Sequence, residues 1–273
     1  MTYQIVFSDV DGTLLNSDHR MLPGTLRSIR ALQARGIPFV IISGRSPSGI
    51  YPILEENGFS CPIICYSGAL MLDEQRRVVF SEGFDLDTAR RVIQRAETLP
   101  YECVWNLFSL DRWIVRDAAH PRVELEARIV RARAEAGGPD SLPSDAVIGK
   151  IMCMCRANEI SRIEEEMKAA FPALSIARSS DTLLEIMRGG ISKSSAVKKV
   201  CEAWDIPLKN AVAFGDQFND ADMLKTAGIP FLMGNAPAEL KRLFPRITDS
   251  NDNEGIEHAL NNLGLNTKKE ETA

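Results

Sequence analysis

The sequence is poor in histidine. Its three, His19, His120 and His258, are scattered, and no His/Cys spacing of the zinc-site kind occurs. Its six cysteines, at 61, 65, 103, 153, 155 and 201, contain no CxxC pair and lie in largely apolar segments. They read as reduced core thiols of a cytoplasmic protein rather than a disulfide framework. No window approaches 18 uncharged apolar residues, so no membrane span is expected. The opening residues, Met1 to Asp9, lack a basic region and a long apolar stretch, so no signal peptide is expected. Basic residues do not predominate either: 32 Lys and Arg stand against 37 Asp and Glu, a net charge of −5. A broad phosphate-neutralising face for nucleic acid is therefore not expected. What is present is ordinary, 45% hydrophobic and 25% charged residues over 273, enough apolar material for one large domain or two modest ones.

The first third alternates strand and helix patterns. Residues 4–8 form a short apolar run ending at Asp9. Pro23 and Gly24 open a segment with Leu26, Ile29 and Leu32 at helical spacing, stopped by Gly36. Two further buried strands are expected at 37–42 and 62–66. The last third repeats the rhythm. Ser192 caps a helix carrying Ala196, Val197, Val200 and Trp204; a strand follows at 211–214, a short helix at 221–227 and a strand at 230–233. The tail after Leu265 is polar and expected to fray. This rhythm predicts a doubly wound, Rossmann-like α/β core with a parallel sheet. The middle differs. An amphipathic helix around Ala89, Val92, Ile93 and Ala96 is followed by strand-like runs at 101–105 and 112–115. A Gly/Pro/Ser-rich break at 137–144, an apolar strand at 148–155 and a helix at 161–171 complete it. We expect an α+β domain over 83–188 inserted into a core made of 1–82 and 189–273.

Ligands of an open parallel sheet bind beyond the carboxyl ends of its strands. Three expected strands end in polar clusters: Asp9-Val10-Asp11-Gly12-Thr13, Ser43-Gly44-Arg45, and Gly215-Asp216-Gln217-Phe218-Asn219-Asp220. The fold would bring them to one rim. A carboxylate can act as a nucleophile toward phosphorus. Two acids flanking one residue at a strand end ask for a hard cation with oxygen ligands, such as Mg²⁺, and Asp216 can supply a further carboxylate. An isolated Asp-Gly is ordinarily a solvated turn; directly after a buried strand, this pentapeptide is not. Gly44 and Arg45 can cradle an anion with backbone N–H groups, although Arg45 could equally only cap the core.

With Ser43-Gly44-Arg45, Lys193 and Gly215-Asp216-x-x-Asn219-Asp220 in this order, Asp-x-Asp-Gly-Thr resembles a haloacid dehalogenase superfamily phosphatase. The run on to Met223-Leu224-x-x-Ala227-Gly228 and the later Met233-Gly234-Asn235-Ala236 resemble the Cof-type hydrolases, whose C2-type cap sits where the inserted domain is expected. The resemblance implies Asp9 as the nucleophile, and Asp11 as the acid that protonates the leaving oxygen and then activates water. It implies Mg²⁺ held by Asp9, the backbone carbonyl of Asp11 and Asp216. Ser43 and Lys193 would grip phosphate oxygens, and Ser43, Gly44, Arg45, Lys193 and Asn219 would form the substrate-binding set. Asp220 would stand behind Lys193 or a metal-bound water. The substrate would be a small phosphorylated metabolite, a sugar phosphate above all, with no nucleic-acid or membrane partner.

This sequence departs from the family pattern at Ser67, where asparagine is frequent, and at Ser194, where glycine is common. Gly189 to Ser194 faintly resembles a nucleotide-binding loop but lacks the glycine before Lys193. Tyr101, Trp105, Phe108 and Trp113 either fill the core of the inserted domain or line a pocket. Two other activities are consistent with the motifs: a phosphomutase, which would return the phosphoryl group to a sugar, and a non-catalytic phospho-ligand module. The presence of Asp9, Asp11, Lys193 and Asp216 weighs against the second.

Overall fold

The computed structural model describes residues 3–265, so the polar tail beyond Leu265 lies outside the described residues. The chain runs β1 (Ile5–Ser8), α1 (Pro23–Ala34), β2 (Phe39–Ile42), α2 (Tyr51–Asn57), β3 (Ile63–Cys65), β4 (Leu70–Leu72) and β5 (Val78–Ser81). After the middle region it continues as α6 (Lys193–Ala203), β12 (Ala211–Gly215), α7 (Ala221–Thr226), β13 (Ile229–Leu232), α8 (Ala238–Lys241) and α9 (Gly255–Asn262). Among the described residues these strands form one seven-stranded sheet, ordered β13-β12-β1-β2-β3-β4-β5. The first five are parallel, and β4 and β5 add an antiparallel edge.

The sheet is doubly wound because its strands are apolar on both faces. Within β1, Val6 packs with Ile29, Leu32, Ile256 and Leu260 of α1 and α9. Its neighbours Ile5 and Phe7 pack on the opposite side with Val197, Val200, Met223 and Leu224 of α6 and α7. Burial on both sides turns the strand into a continuous apolar run rather than an alternating one.

The middle region holds α3 (Leu86–Thr98), β6 (Cys103–Ser109), β7 (Arg112–Val115), α4 (Pro121–Val130), β8 (Glu135–Ala136), β9 (Lys150–Cys155), α5 (Ile160–Ala170), β10 (Leu174–Arg178) and β11 (Leu183–Arg188). Its strands form a second sheet, ordered β10-β11-β9-β6-β7-β8 and antiparallel except for the last pair. Helices α3 and α5 cover one face, where Val92, Ile93, Ile163 and Met167 meet Trp105, Leu107, Ile151 and Cys153. The other face presents Phe108, Trp113 and Met152, which join a cluster containing Tyr66 of the first sheet's rim.

Several elements were legible in the sequence only in part or not at all. The strand expected at 101–105 begins at Cys103 and runs on to Ser109, where Asn106 breaks the apolar pattern. That residue is buried and paired: its Nδ2 donates to the carbonyls of Val104 and Met152, and its Oδ1 accepts the Trp113 indole proton at 2.9 Å. Helix α4 buries only Val123 and leaves Leu125 and Ile129 half exposed, so no apolar stripe announces it. Strands β10 and β11 mix apolar, polar and charged residues and are only partly buried, so neither shows a continuous apolar run.

Candidate active site

Asp9 follows β1 directly, and its amide donates to the Phe214 carbonyl of β12 at 3.0 Å. Ser43 follows β2, and Asp216 follows β12. Since β1 lies between β12 and β2, the three strand ends share one rim, with the sequence order reversing on either side of β1. Lys193 reaches the same place from the start of α6. Ser192 caps that helix, its hydroxyl accepting the Ser195 amide at 3.2 Å while Ser195 Oγ accepts the Ser192 amide at 2.9 Å. The reciprocal cap fixes Lys193 at the first helical position, pointing inward.

The Lys193 side chain is almost wholly buried. Its Nζ donates to Asp9 Oδ1 at 2.6 Å and to Asp220 Oδ1 at 2.5 Å. Burial alone would drive its proton off, but Asp220 and Asp9 outweigh that and hold the ammonium above its ordinary pKa. Asp220 Oδ2 accepts the amides of Asp216 and Gln217, both at 3.0 Å, so both of its oxygens are engaged. The position expected to stand behind Lys193 therefore holds both the lysine and the loop that carries Asp216.

Asp216 Oδ1 accepts the Thr13 hydroxyl at 3.1 Å, and its Oδ2 accepts Gln217 Nε2 and Asn235 Nδ2, each at 3.2 Å. Asn235 also donates to the Gly12 carbonyl at 2.8 Å, tying the β1 turn to the β12 loop. Gly12 has φ +76°, and a Cβ there would lie 2.4 Å from Asp216 Oδ2, so the turn leaves no room for a side chain.

Asp9, Asp216 and Asp220 each place a carboxylate oxygen within 4.8 Å of the others. Burial and the Asp220 charge push the Asp9 carboxyl up, against the pull of Lys193. The same two causes push Asp216 up to about 6. Three buried acids share one ammonium, so the donor set fits a hard cation. Both oxygens of Asp216 and of Asp220 already accept protein hydrogen bonds, whereas Asp9 Oδ2 receives none from a described residue.

The other expected residues gather around a cavity of about 570 Å³, lined by Asp9, Asp11, Ser43, Gly44, Arg45 and Asn219 on this side and by the second sheet opposite. Ser43 is buried, and its Oγ accepts the Arg45 amide at 3.2 Å. Arg45 does more than cap the core: Nε and Nη2 hold the two oxygens of Asp11. Asn219 stands on the exposed rim. Ser67 lines the cavity beside Gly44 and adopts φ +51°, a backbone that suits the asparagine it replaces. The aromatics divide. Tyr101 and Trp105 pack under α3, while Phe108 and Trp113 line the cavity wall.

Several residues escaped the sequence reading. Thr13 and Asn235 lay inside quoted motifs, and only the folded arrangement turns them on Asp216. Lys150, at the start of β9, is buried and donates to the Gly44 carbonyl at 2.8 Å across the two sheets. Nothing in its local sequence marks it. Tyr66 Oη donates to the Leu110 carbonyl at 2.7 Å and Asp111 accepts the Ser48 amide at 2.6 Å, also across the two sheets.

A family model described as haloacid dehalogenase-like hydrolase matches residues 6–260. A protein of Haemophilus influenzae is 35% identical over 94% of this chain and 96% of its own, and YkrA of Bacillus subtilis is 30% identical over 97% and 99%; both bear the name putative phosphatase. A solved haloacid dehalogenase-like hydrolase of Bacteroides thetaiotaomicron superposes with a TM-score of 0.87, covering 96% of this chain and all of that one at 23% identity.

Proposed function

The chain belongs to the haloacid dehalogenase-like hydrolases and is a phosphatase among them, and we propose that it hydrolyses a small phosphorylated metabolite, foremost a sugar phosphate, with Mg²⁺. The observation that carries the reading is the buried Asp9–Lys193–Asp220 chain, whose Asp9 end meets the cavity between the two sheets.

Asp9 attacks phosphorus, and the ester oxygen departs as the Asp9–phosphate bond forms. Asp11 supplies the proton that the leaving oxygen needs. It then takes one from the water that cleaves the aspartyl phosphate and returns Asp9. Lys193 turns its charge to the phosphate oxygens while Asp220 keeps it in place. The Ser43 hydroxyl and the Gly44 amide donate to the same oxygens, and Asn219 meets the substrate at the rim. Mg²⁺, held by Asp9, Asp216 and the Asp11 carbonyl, would supply the remaining positive charge that phosphoryl transfer requires.

We assign residues 83–188 as a cap that selects the leaving group and keeps bulk water out, over a catalytic core of 1–82 and 189–273. Among the described residues no helix is long and apolar enough to cross a membrane. Six unpaired cysteines suit a reducing compartment, and we place the protein in the cytoplasm.

The test is phosphate release from a panel of phosphorylated metabolites, with Mg²⁺ and with chelator, by wild type and Asp9→Asn. Release that requires both the metal and Asp9 is expected, with Asp9→Asn slower by about 10⁴-fold or more. Retained activity in folded Asp9→Asn would sink the nucleophile assignment. An isomeric sugar phosphate accumulating in place of free phosphate would make the protein a mutase.

A further inference from the structure

The cavity above Asp9 and Asp11 continues into the second sheet, where its wall carries Lys150, Glu185 and Glu126. Lys150 has only 6% of its side chain exposed. Two of its three protons are spent, on the Gly44 carbonyl at 2.8 Å and on Glu185 Oε1 at 2.9 Å, and its ammonium lies 5.3 Å from the Phe108 ring centre. The Lys150 side chain is thus paired with a carboxylate inside the fold. Its third proton remains for the cavity.

The acceptors outnumber that donor. Glu185 Oε2 receives no hydrogen bond from a described residue, its partner oxygen alone being bound by Lys150. Glu126, on α4, makes no hydrogen bond or ion pair with any described residue. It stands among Lys150, Arg45, Glu185 and Asp11, and burial pushes its carboxyl up. Arg178, the remaining cation of this wall, is turned onto Glu164 at 2.5 Å. The stacked Phe108 and Trp113 rings, 5.7 Å apart, complete the wall with apolar surface. Half-buried acceptors without donors are satisfied by a ligand that brings O–H groups, and an apolar wall beside them suits the C–H face of such a ligand.

Resting on the phosphatase reading above, we propose that Glu126, Glu185 and Lys150 form the leaving-group subsite, one that takes a neutral, hydroxyl-bearing group and excludes a leaving group with a second anionic charge. Three carboxylate oxygens accept from substrate hydroxyls, and the third Lys150 proton donates to one. A carboxylate or second phosphate on the substrate would face the Glu126 carboxylate, while Lys150 is paired with Glu185 and Arg178 with Glu164. That repulsion discriminates where attraction alone would not. Lys150 also ties this choice to the chemistry, since it holds the carbonyl of Gly44 in the phosphate-binding turn.

The test compares two esters of the same length, a hexitol 6-phosphate and 6-phosphogluconate, which differ in a terminal CH₂OH against a carboxylate. Wild type and Glu126→Gln are assayed for kcat and KM on both. The wild type is expected to favour the hexitol ester at least tenfold in kcat/KM. Glu126→Gln keeps the shape and removes the charge, and is expected to lower that ratio by about tenfold, mainly through KM for 6-phosphogluconate. Glu185→Gln, which leaves Lys150 uncompensated, is expected to shift the preference toward the acid further. A wild-type ratio near one, or a ratio unchanged in Glu126→Gln, overturns the subsite while the phosphatase reading stands. No phosphate release from either ester or from p-nitrophenyl phosphate by the Mg²⁺-loaded wild type overturns the phosphatase reading and the subsite with it.

Discussion

Arg45 holds Asp11 by both oxygens, Nε on Oδ2 at 2.8 Å and Nη2 on Oδ1 at 2.5 Å, while its Nη1 donates to the Gly49 carbonyl at 3.0 Å. The arginine is largely buried, with 13% of its side chain exposed, and the aspartate is half exposed, with 48%. The buried partner therefore sets the position of the more exposed one. A residue proposed to hand protons to the leaving oxygen is thus tethered to the turn after β2, the same turn that contributes Ser43 and Gly44.

Replacing that fork is the direct check. Arg45→Lys keeps a positive charge but not the bidentate geometry. A fall in kcat of between tenfold and roughly 100-fold is expected, with a smaller change in KM, because the defect lies in aiming Asp11. Steady-state kinetics on one good substrate measure it. A change confined to KM would place Arg45 on the substrate instead.

Lys193 neutralises two buried acids at once. Lys193→Met would leave Asp9 and Asp220 facing each other, both less than a tenth exposed, with no counter-charge. A loss of roughly 3–5 kcal/mol is expected. Thermal unfolding should drop by about 6–20 °C for a chain of this size, together with a loss of phosphate release. Adding Asp220→Asn to Lys193→Met should recover part of the melting temperature without restoring turnover. An unchanged melting temperature in the single variant would contradict the ion-pair account.

The acidic floor should respond to a divalent cation in the absence of substrate. Mg²⁺ at 100 times its dissociation constant stabilises a protein that binds it only when folded by about 2.7 kcal/mol. A melting scan with and without Mg²⁺ is expected to show a rise in wild type and almost none in Asp216→Asn. An equal rise in both would move the ion elsewhere.

Gly12 is the position where an added methyl group does most harm for its size. Gly12→Ala forces a β-carbon into the Asp216 carboxylate at a backbone angle that alanine adopts with strain. Activity is expected to fall at least as far as in Asp216→Asn, with a lower melting temperature. Wild-type activity in Gly12→Ala would mean that the turn and the β12 loop are not pressed together as described.

Much of this was legible along the chain because it is local. The apolar runs 4–8, 37–42 and 211–214 state their burial on both faces, and a strand that ends in Asp-x-Asp-Gly states a rim. Ser192 announces the start of α6 by its own side chain. The ordered motifs around Asp9, Ser43, Lys193 and Asp216 identified the family before any fold was seen. Other features depend on distance in space. Lys150 is an ordinary strand residue until the two sheets meet and its ammonium finds Gly44. Glu126 lies on a helix whose exposed leucine and isoleucine hide its register, and only the cavity between the two sheets shows what its carboxylate faces. Arg45 reads equally as a core cap or a substrate contact, and the fork on Asp11 is a matter of where β1 and β2 lie side by side. A sequence carries the periodicities and turn residues that hydrogen bonding and burial act on within a few residues. Which charge meets which across two sheets is settled by packing, which brings together groups that the chain itself holds far apart.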